Sequence, residues 1–172
     1  MIVANKLGAL GLLLTDAVSE ALGELSPSAA ALLLTLRYHG DMTTTELAAI
    51  AGISQPTAVR VADGLVRRGL IQRQDRAGRT APLRLTRTGA RQAEALQRVR
   101  LKAMARLLAG LSATERAAFE RTLDKLLAPA TVSRAFARTT CRLCDHGSCD
   151  GPLCPIGSRA TELERAAATR RE

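Results

Sequence analysis

The sequence predicts a mainly α-helical chain with one small β-hairpin, and three observations carry that prediction. The 172 residues are 47% hydrophobic but only 2% aromatic, with Ala, Leu and Arg dominant, a mix that favours helix over strand. Apolar residues recur at three- and four-residue spacing along most of the chain. One stretch breaks that rhythm: apolar ends at Leu70-Ile71 and Leu83-Leu85 enclose a polar tip with Asp75 and Gly78, which reads as strand, turn, strand. The length suits one domain, or one domain with an appendage, and can bury a core. The hydrophobic share excludes wholesale disorder. The scarcity of aromatics removes the stacking platforms that single-stranded nucleic-acid binders use.

The elements follow in order. In residues 1–25, Leu7, Leu10, Leu14, Val18, Leu22 and Leu25 mark one face of an amphipathic helix that packs on something. Its apolar run from Leu7 to Leu14 is followed by Asp16 and Glu20 and falls far short of the ~20 residues a membrane span needs. A cytoplasmic protein without membrane contact is expected; a signal peptide is the lesser reading. Ser26 and Pro27 then start a second helix, with a capping hydroxyl and a proline suited to the first turn. It runs through apolar Ala29–Leu36 and ends at His39-Gly40-Asp41, where His39 caps the last carbonyls. Thr43 and Glu46 stand in capping-box spacing and open a third helix that buries Leu47, Ala48, Ile50 and Ala51. Gly52 suits a left-handed turn residue. Ser54-Gln55-Pro56 opens a fourth helix through Ala58, Val61, Ala62 and Leu65, ended by Gly69. Two short helices, a glycine turn and a capped second helix are the plan of a helix-turn-helix, and a hairpin directly after it is a wing. Pro82 demotes the second wing strand to an edge. Beyond the wing, 87–107 carries Ala90, Ala93, Leu96, Val99, Met104 and Leu107 on one helical face. A last core helix, 112–127, opens with Ser112 and Glu115 in capping-box spacing, and the stretch is expected to bury Leu111, Ala118, Phe119, Leu123 and Leu126 or Leu127.

Charge is concentrated. The chain has a formal charge of +9, and residues 54–100 alone hold eleven Arg against three acids. A basic block of that density points to a polyanion partner, because each Arg–phosphate contact releases condensed counterions.

At this point the sequence resembles a known family. Leu25-Ser26-Pro27-Ser28, Glu46-Leu47-Ala48, Gly52 to Thr57, Gly69 to Arg73, the tip Asp75 to Arg79 and the closing Leu85 to Gly89 are similar, in order and spacing, to the winged helix-turn-helix of the MarR family of bacterial transcriptional regulators. The resemblance implies a homodimer with intertwined N- and C-terminal helices on double-stranded DNA. It implies that the recognition helix enters the major groove and the wing the minor groove, that repression is common, and that a small-molecule effector binds between the dimer helices and the DNA-binding lobe. Apolar helices at both ends of the module agree with a dimer. On that reading Ser54, Gln55, Thr57 and Arg60 contact DNA from the recognition helix. Gln pairs with adenine, Arg with guanine, and Thr meets a methyl or a phosphate. Arg79 stands where the family has its wing-tip arginine, with Arg76 beside it, and a guanidinium suits a narrow A·T minor groove. Asp75 holds the tip by pairing an arginine. Arg73, with Arg67, Arg68 and Arg84, is a phosphate contact or plain surface.

The chain divides accordingly: 1–25, an N-terminal dimerisation helix; 26–90, the winged helix-turn-helix; 91–130, C-terminal dimerisation helices; 131–172, a Cys-rich appendage and charged tail. All four cysteines fall in that appendage, as Cys141-x2-Cys144-x4-Cys149-x4-Cys154, in a turn-rich stretch without periodic apolar residues. So short a segment is ordered only if a covalent or metal bond holds it. Four readings stand: a structural zinc on four thiolates, an iron–sulfur cluster, a disulfide switch, and a disordered tail with idle thiols. The spacing resembles the retroviral zinc knuckle, with Cys149 where the knuckle has His, and Cys154-Pro155 resembles the end of a ferredoxin run. Metal is preferred to disulfide, and zinc to iron–sulfur, although spacing fixes donors and not the metal. His146 is a reserve ligand. Residues 158–171 read as a short charged helix or a frayed tail.

Two His, no Gly-rich phosphate loop and no Ser with a nearby base leave no catalytic constellation, and four thiolates would close a zinc to substrate. The expectation is a regulator, not an enzyme. The alternative is a nucleic-acid-associated adaptor whose cysteine module binds RNA or a partner protein; the lack of aromatics in that loop argues against RNA.

Overall fold

Ser26 opens the central helix of the fold by accepting the Ala29 N–H at 3.1 Å, with Pro27 in the first turn. The computed structural model describes residues 1–75, 81–149 and 151–170. Within them the order is α1 (Ile2–Leu22), α2 (Pro27–His39), α3 (Thr44–Ala51), α4 (Gln55–Arg67), β1 (Ile71–Arg73), β2 (Leu83–Leu85), α5 (Arg87–Leu107), α6 (Ala113–Ala130), α7 (Arg134–Thr140), a 3-10 turn (Gly151–Leu153) and α8 (Pro155–Thr169).

Helix α2 is buried at every position from Ala29 to Leu36. It packs against α3, α4, α5 and β2, so a helix apolar all round becomes the axis of the core. Leu32, Leu33, Leu34, Leu47, Leu65, Ile71 and Leu83 are its fully buried side chains; each contributes roughly 1.5–3 kcal/mol of transfer free energy. Thr43 and Glu46 close the expected capping box on α3. Gly52 then turns the chain at φ +68°, a left-handed value that costs glycine nothing.

The hairpin pairs Ile71 with Leu85, Gln72 with Arg84 and Arg73 with Leu83. Both strands are three residues long, and Pro82 lies just outside β2. A third backbone joins: Met42 and Leu83 exchange hydrogen bonds at 2.8 and 3.2 Å, which ties the α2–α3 connection to the wing. Thr86 caps α5 through the Gly89 N–H at 3.0 Å and donates to the Gly69 carbonyl at 2.7 Å. A Cβ on Gly89 would overlap the Leu70 carbonyl, so only glycine fits where α5 crosses the start of the wing.

Three expectations need correction. Helix α6 buries none of its residues within the chain: Ala118, Leu123 and Leu126 are exposed, because α6 meets only the C-terminal segment through α8. Its caps and periodicity fix a helix, not a neighbour. Residues 131–172 are not a detached, turn-rich appendage: they hold α7 and α8, which pack on each other, with α7 against α3 and α8 against α6. Helix α1 spans 21 residues with a mean hydropathy of 1.3 over an 18-residue window, so by length and composition it could cross a membrane. The whole helix Ile2–Leu22, and not the leucine run alone, sets that length. In the fold α1 lies along α5 and touches α2.

Candidate nucleic-acid interface and cysteine cluster

The two edges of α4 have opposite character. Ala58, Ala62 and Leu65 face the core, while Ser54, Gln55 and Arg60 are exposed and Thr57 is half-buried. Ser54 takes the N-cap position, but its hydroxyl does not cap the backbone. Instead Ser54 Oγ and Thr57 Oγ1 share a hydrogen bond at 2.9 Å, and Arg60 Nη2 donates to Thr57 Oγ1 at 3.3 Å. Ser54, Thr57 and Arg60 thus form a connected polar ridge one helical turn per step, with Gln55 at its head. Such a ridge presents forked donors and acceptors of the kind that read purine edges in a major groove.

The basic residues beside the ridge are partly answered within the chain. Arg73 Nη2 bonds Asp63 Oδ1 at 2.7 Å, pinning β1 to α4, so the residue assigned to DNA from sequence also serves the hairpin. Arg84 Nε donates to both Asp41 carboxylate oxygens at 2.8 and 2.9 Å, and this holds the Asp41 carboxyl below the usual carboxylate range. The sequence offered no signal for either pair; the hairpin register had to be known first. Arg68 stands 3.8 Å from Glu24. Arg76 and Arg79 lie outside the described residues.

The cysteines are brought together by three successive tight turns. Cys144 N–H bonds the Cys141 carbonyl at 2.8 Å, Cys149 N–H the Asp145 carbonyl at 2.7 Å, and Cys154 N–H the Gly151 carbonyl at 3.1 Å. Cys154 is the N-cap of α8, and its Sγ accepts the Gly157 N–H at 3.2 Å. Cys141 and Cys154 are buried with Ala137, Ile156 and Ala160, and Cys144, Cys149 and Leu127 pack against them. Cys141 hydrogen-bonds Cys144; this bond, with Arg100 and His146 nearby, pulls the Cys144 thiol down to about 6, while the same bond and burial push the Cys141 thiol up. Among the described residues no three His, Cys, Asp or Glu side chains are placed so that they could hold a metal ion.

His146 is engaged elsewhere. Its Nε2 lies 3.1 Å from the Cys141 carbonyl, and its ring meets those of His39 at 4.9 Å and Tyr38 at 5.7 Å. Burial, then the hydrogen bond to Asp145, push the Tyr38 phenol up to about 12. The cysteine loop is therefore buttoned to the end of α2. Helix α7 is tied to α3 in turn: Thr139 Oγ1 donates to the Ala49 carbonyl at 3.3 Å. Between these contacts lies a cavity of about 530 Å³, lined on one side by Thr35, His39, Met42, Glu46 and Ile50 and on the other by Arg138, Cys141, Cys154 and Ile156.

Helices α3 and α4, the glycine turn and the hairpin define a winged helix-turn-helix. The family model described as MarR family matches residues 25–78. A MarR family protein from Bacillus stearothermophilus is similar at 26% identity, with 76% of this chain and 94% of that one covered and a TM-score of 0.67. A MarR family protein from Mycobacterium tuberculosis is similar at 28%, covering 72% and 92%, with a TM-score of 0.61. A MepR mutant from Staphylococcus aureus bound to an oligodeoxyribonucleotide shares the fold at 20% identity, covering 74% and 96%, with a TM-score of 0.57. No curated protein matches the chain. The chain is thus similar, in its winged helix-turn-helix and in its overall helical fold, to proteins of the MarR family.

Proposed function

We propose that this chain is a sequence-specific, double-stranded DNA-binding transcriptional regulator of the cytoplasm, acting as a homodimer and most simply as a repressor. The observation that carries the reading is the ridge Ser54–Thr57–Arg60 with Gln55, aligned on the exposed edge of α4 within a winged helix-turn-helix. The concentration of positive charge in residues 54–100 supports it. In this reading α4 enters the major groove and the wing, with Arg76 and Arg79, the minor groove. The dimer is supported by the open apolar side chains of the terminal helices: Ile2, Leu7, Leu12 and Leu13 on α1, Leu101 and Leu107 on α5, Leu123 and Leu126 on α6. Faces of that kind need a second copy to cover them. A small effector has room in the cavity between the cysteine segment and the DNA-binding lobe.

The test is selection from a random duplex DNA library followed by titration of the winning duplex. A recurring motif with two related half-sites is expected. Arg60→Ala should then weaken binding about 5- to 150-fold, the span of one lost bidentate base contact, with little change on unselected duplex. Enrichment of no motif would overturn the reading.

A further inference from the structure

We propose that Cys141, Cys144, Cys149 and Cys154 bind one zinc ion as four thiolates, and that this ion clasps α7 and α8 onto α3. The assignment goes beyond the DNA-binding reading and stands without it. Its first support is proximity: three tight turns bring cysteines up to thirteen residues apart into one packed cluster, from which the sulfurs close up around the ion, since no three of them are placed to hold one as they stand. Its second is the poverty of that cluster as a hydrophobic core. Apart from cysteine, its buried members are Ala137, Ile156 and Ala160, too little apolar area to order a loop of this length. Its third is the surroundings of one sulfur. The Gly157 N–H already points at Cys154 Sγ, which suits a thiolate carrying negative charge. The donors are soft sulfurs only, since His146 is held by the Cys141 carbonyl and the α2 rings, and such a set selects a thiophilic metal. Binding displaces the thiol protons to solvent and transfers no electron.

The clasp follows from what the cluster touches. Cys141 directly follows α7, Cys154 caps α8, and α7 lies on α3 through Thr139 and Ala49. A metal joining 141 to 154 thus closes the segment whose inner helix rests on the first helix of the helix-turn-helix. Without it, α7 is held by the small cluster, by the Arg134 bonds to Glu164 and Thr161 on α8 and by the Thr139–Ala49 bond to α3.

The full-length chain, purified anaerobically, should hold one zinc per chain and no acid-labile sulfide. Replacing zinc by cobalt(II) should give the intense visible and near-ultraviolet bands of a tetrahedral thiolate site. Cys144→Ser with Cys149→Ser should lose the ion. Removing zinc from the wild-type chain with a chelator, which needs no variant to fold, should speed amide exchange in 44–51 and 134–140 at least tenfold and leave 29–36 protected. Iron with sulfide would overturn the zinc assignment, and a reduced chain that takes up neither zinc nor cobalt would overturn the site. Zinc loss with unchanged exchange in α3 would overturn the clasp.

Discussion

Gly52 is where the turn of the helix-turn-helix meets the C-terminal segment, and its replacement by alanine gives a sharp test of that packing. Two costs arise. At φ +68° a Cβ in the left-handed region costs roughly 1–2 kcal/mol. The new methyl would also stand 2.9 Å from Thr139 Cγ2, against ~3.5–4.0 Å for relaxed carbon contacts. Either α7 withdraws, or Thr139 rotates and loses its bond to the Ala49 carbonyl, worth about 0.5–1.5 kcal/mol. Gly52→Ala should therefore cost about 1.5–3.5 kcal/mol in urea unfolding at fixed chain concentration, the sum of those two ranges. Thr139→Ser removes Cγ2 and keeps the hydroxyl. In that background the same substitution should cost only the backbone share, about 1–2 kcal/mol. A difference of about 1 kcal/mol between backgrounds is the signature of the contact. Costs equal to within about 0.5 kcal/mol, the limit of additivity for separate sites, would refute the docking of α7 on the turn.

Three further outcomes are expected. Gly89→Ala should destabilise by at least about 1–3 kcal/mol, because its Cβ meets the rigid Leu70 carbonyl; a thermal midpoint lowered by several degrees reads this out, and an unchanged midpoint would disprove the close crossing. The hydrogen bond from Arg84 depresses the Asp41 carboxyl, so its stabilisation is complete above the unfolded value of ~3.9 and is lost as pH falls through the lower folded value. Asp41→Asn should accordingly flatten the acid limb of stability against pH below about 4, and an unaltered limb would count against the pair. Leu101→Glu with Leu123→Glu, both on exposed sites, should shift sedimentation from dimer toward monomer while leaving the helical circular dichroism intact; a dimer of unchanged affinity would exclude these faces from the interface.

What the sequence made legible was local. Ser26, Thr43 and Ser112 sit where hydroxyls can satisfy orphan N–H groups, and all three cap helices. Gly52 was readable for the same reason, since turn chemistry acts within a few residues. The same locality explains Ser54: the cap position was right, but its hydroxyl turns to Thr57, a choice made by side chains one turn apart. Partnerships between distant residues were hidden. Asp41 and Arg84, or Met42 and Leu83, meet only because α2 and the wing are threaded past each other, and nothing in either segment announces the other.

Periodicity carries a related ambiguity, and it bears on the site. A helical stripe of leucines states that a face will be covered, not by what. On α2 the cover is the chain's own core; on α6, with the same kind of stripe, the chain supplies almost none. The cysteine segment shows the converse. It lacks an apolar stripe, so sequence pattern alone leaves it outside the fold, yet α7 and α8 pack against α3 and α6. Thiols give no periodic signal, and alanines such as Ala137 and Ala160 give a weak one. Their convergence becomes visible only when the turns at Cys141, Asp145 and Gly151 are closed. A module that is small, alanine-lined and fastened by the Thr139–Ala49 bond, the His146 ring contacts and the Arg134–Glu164 pair is poorly held by burial alone. That shortage is the physical reason to look for a metal there, and for loss of the metal to be felt first in α3.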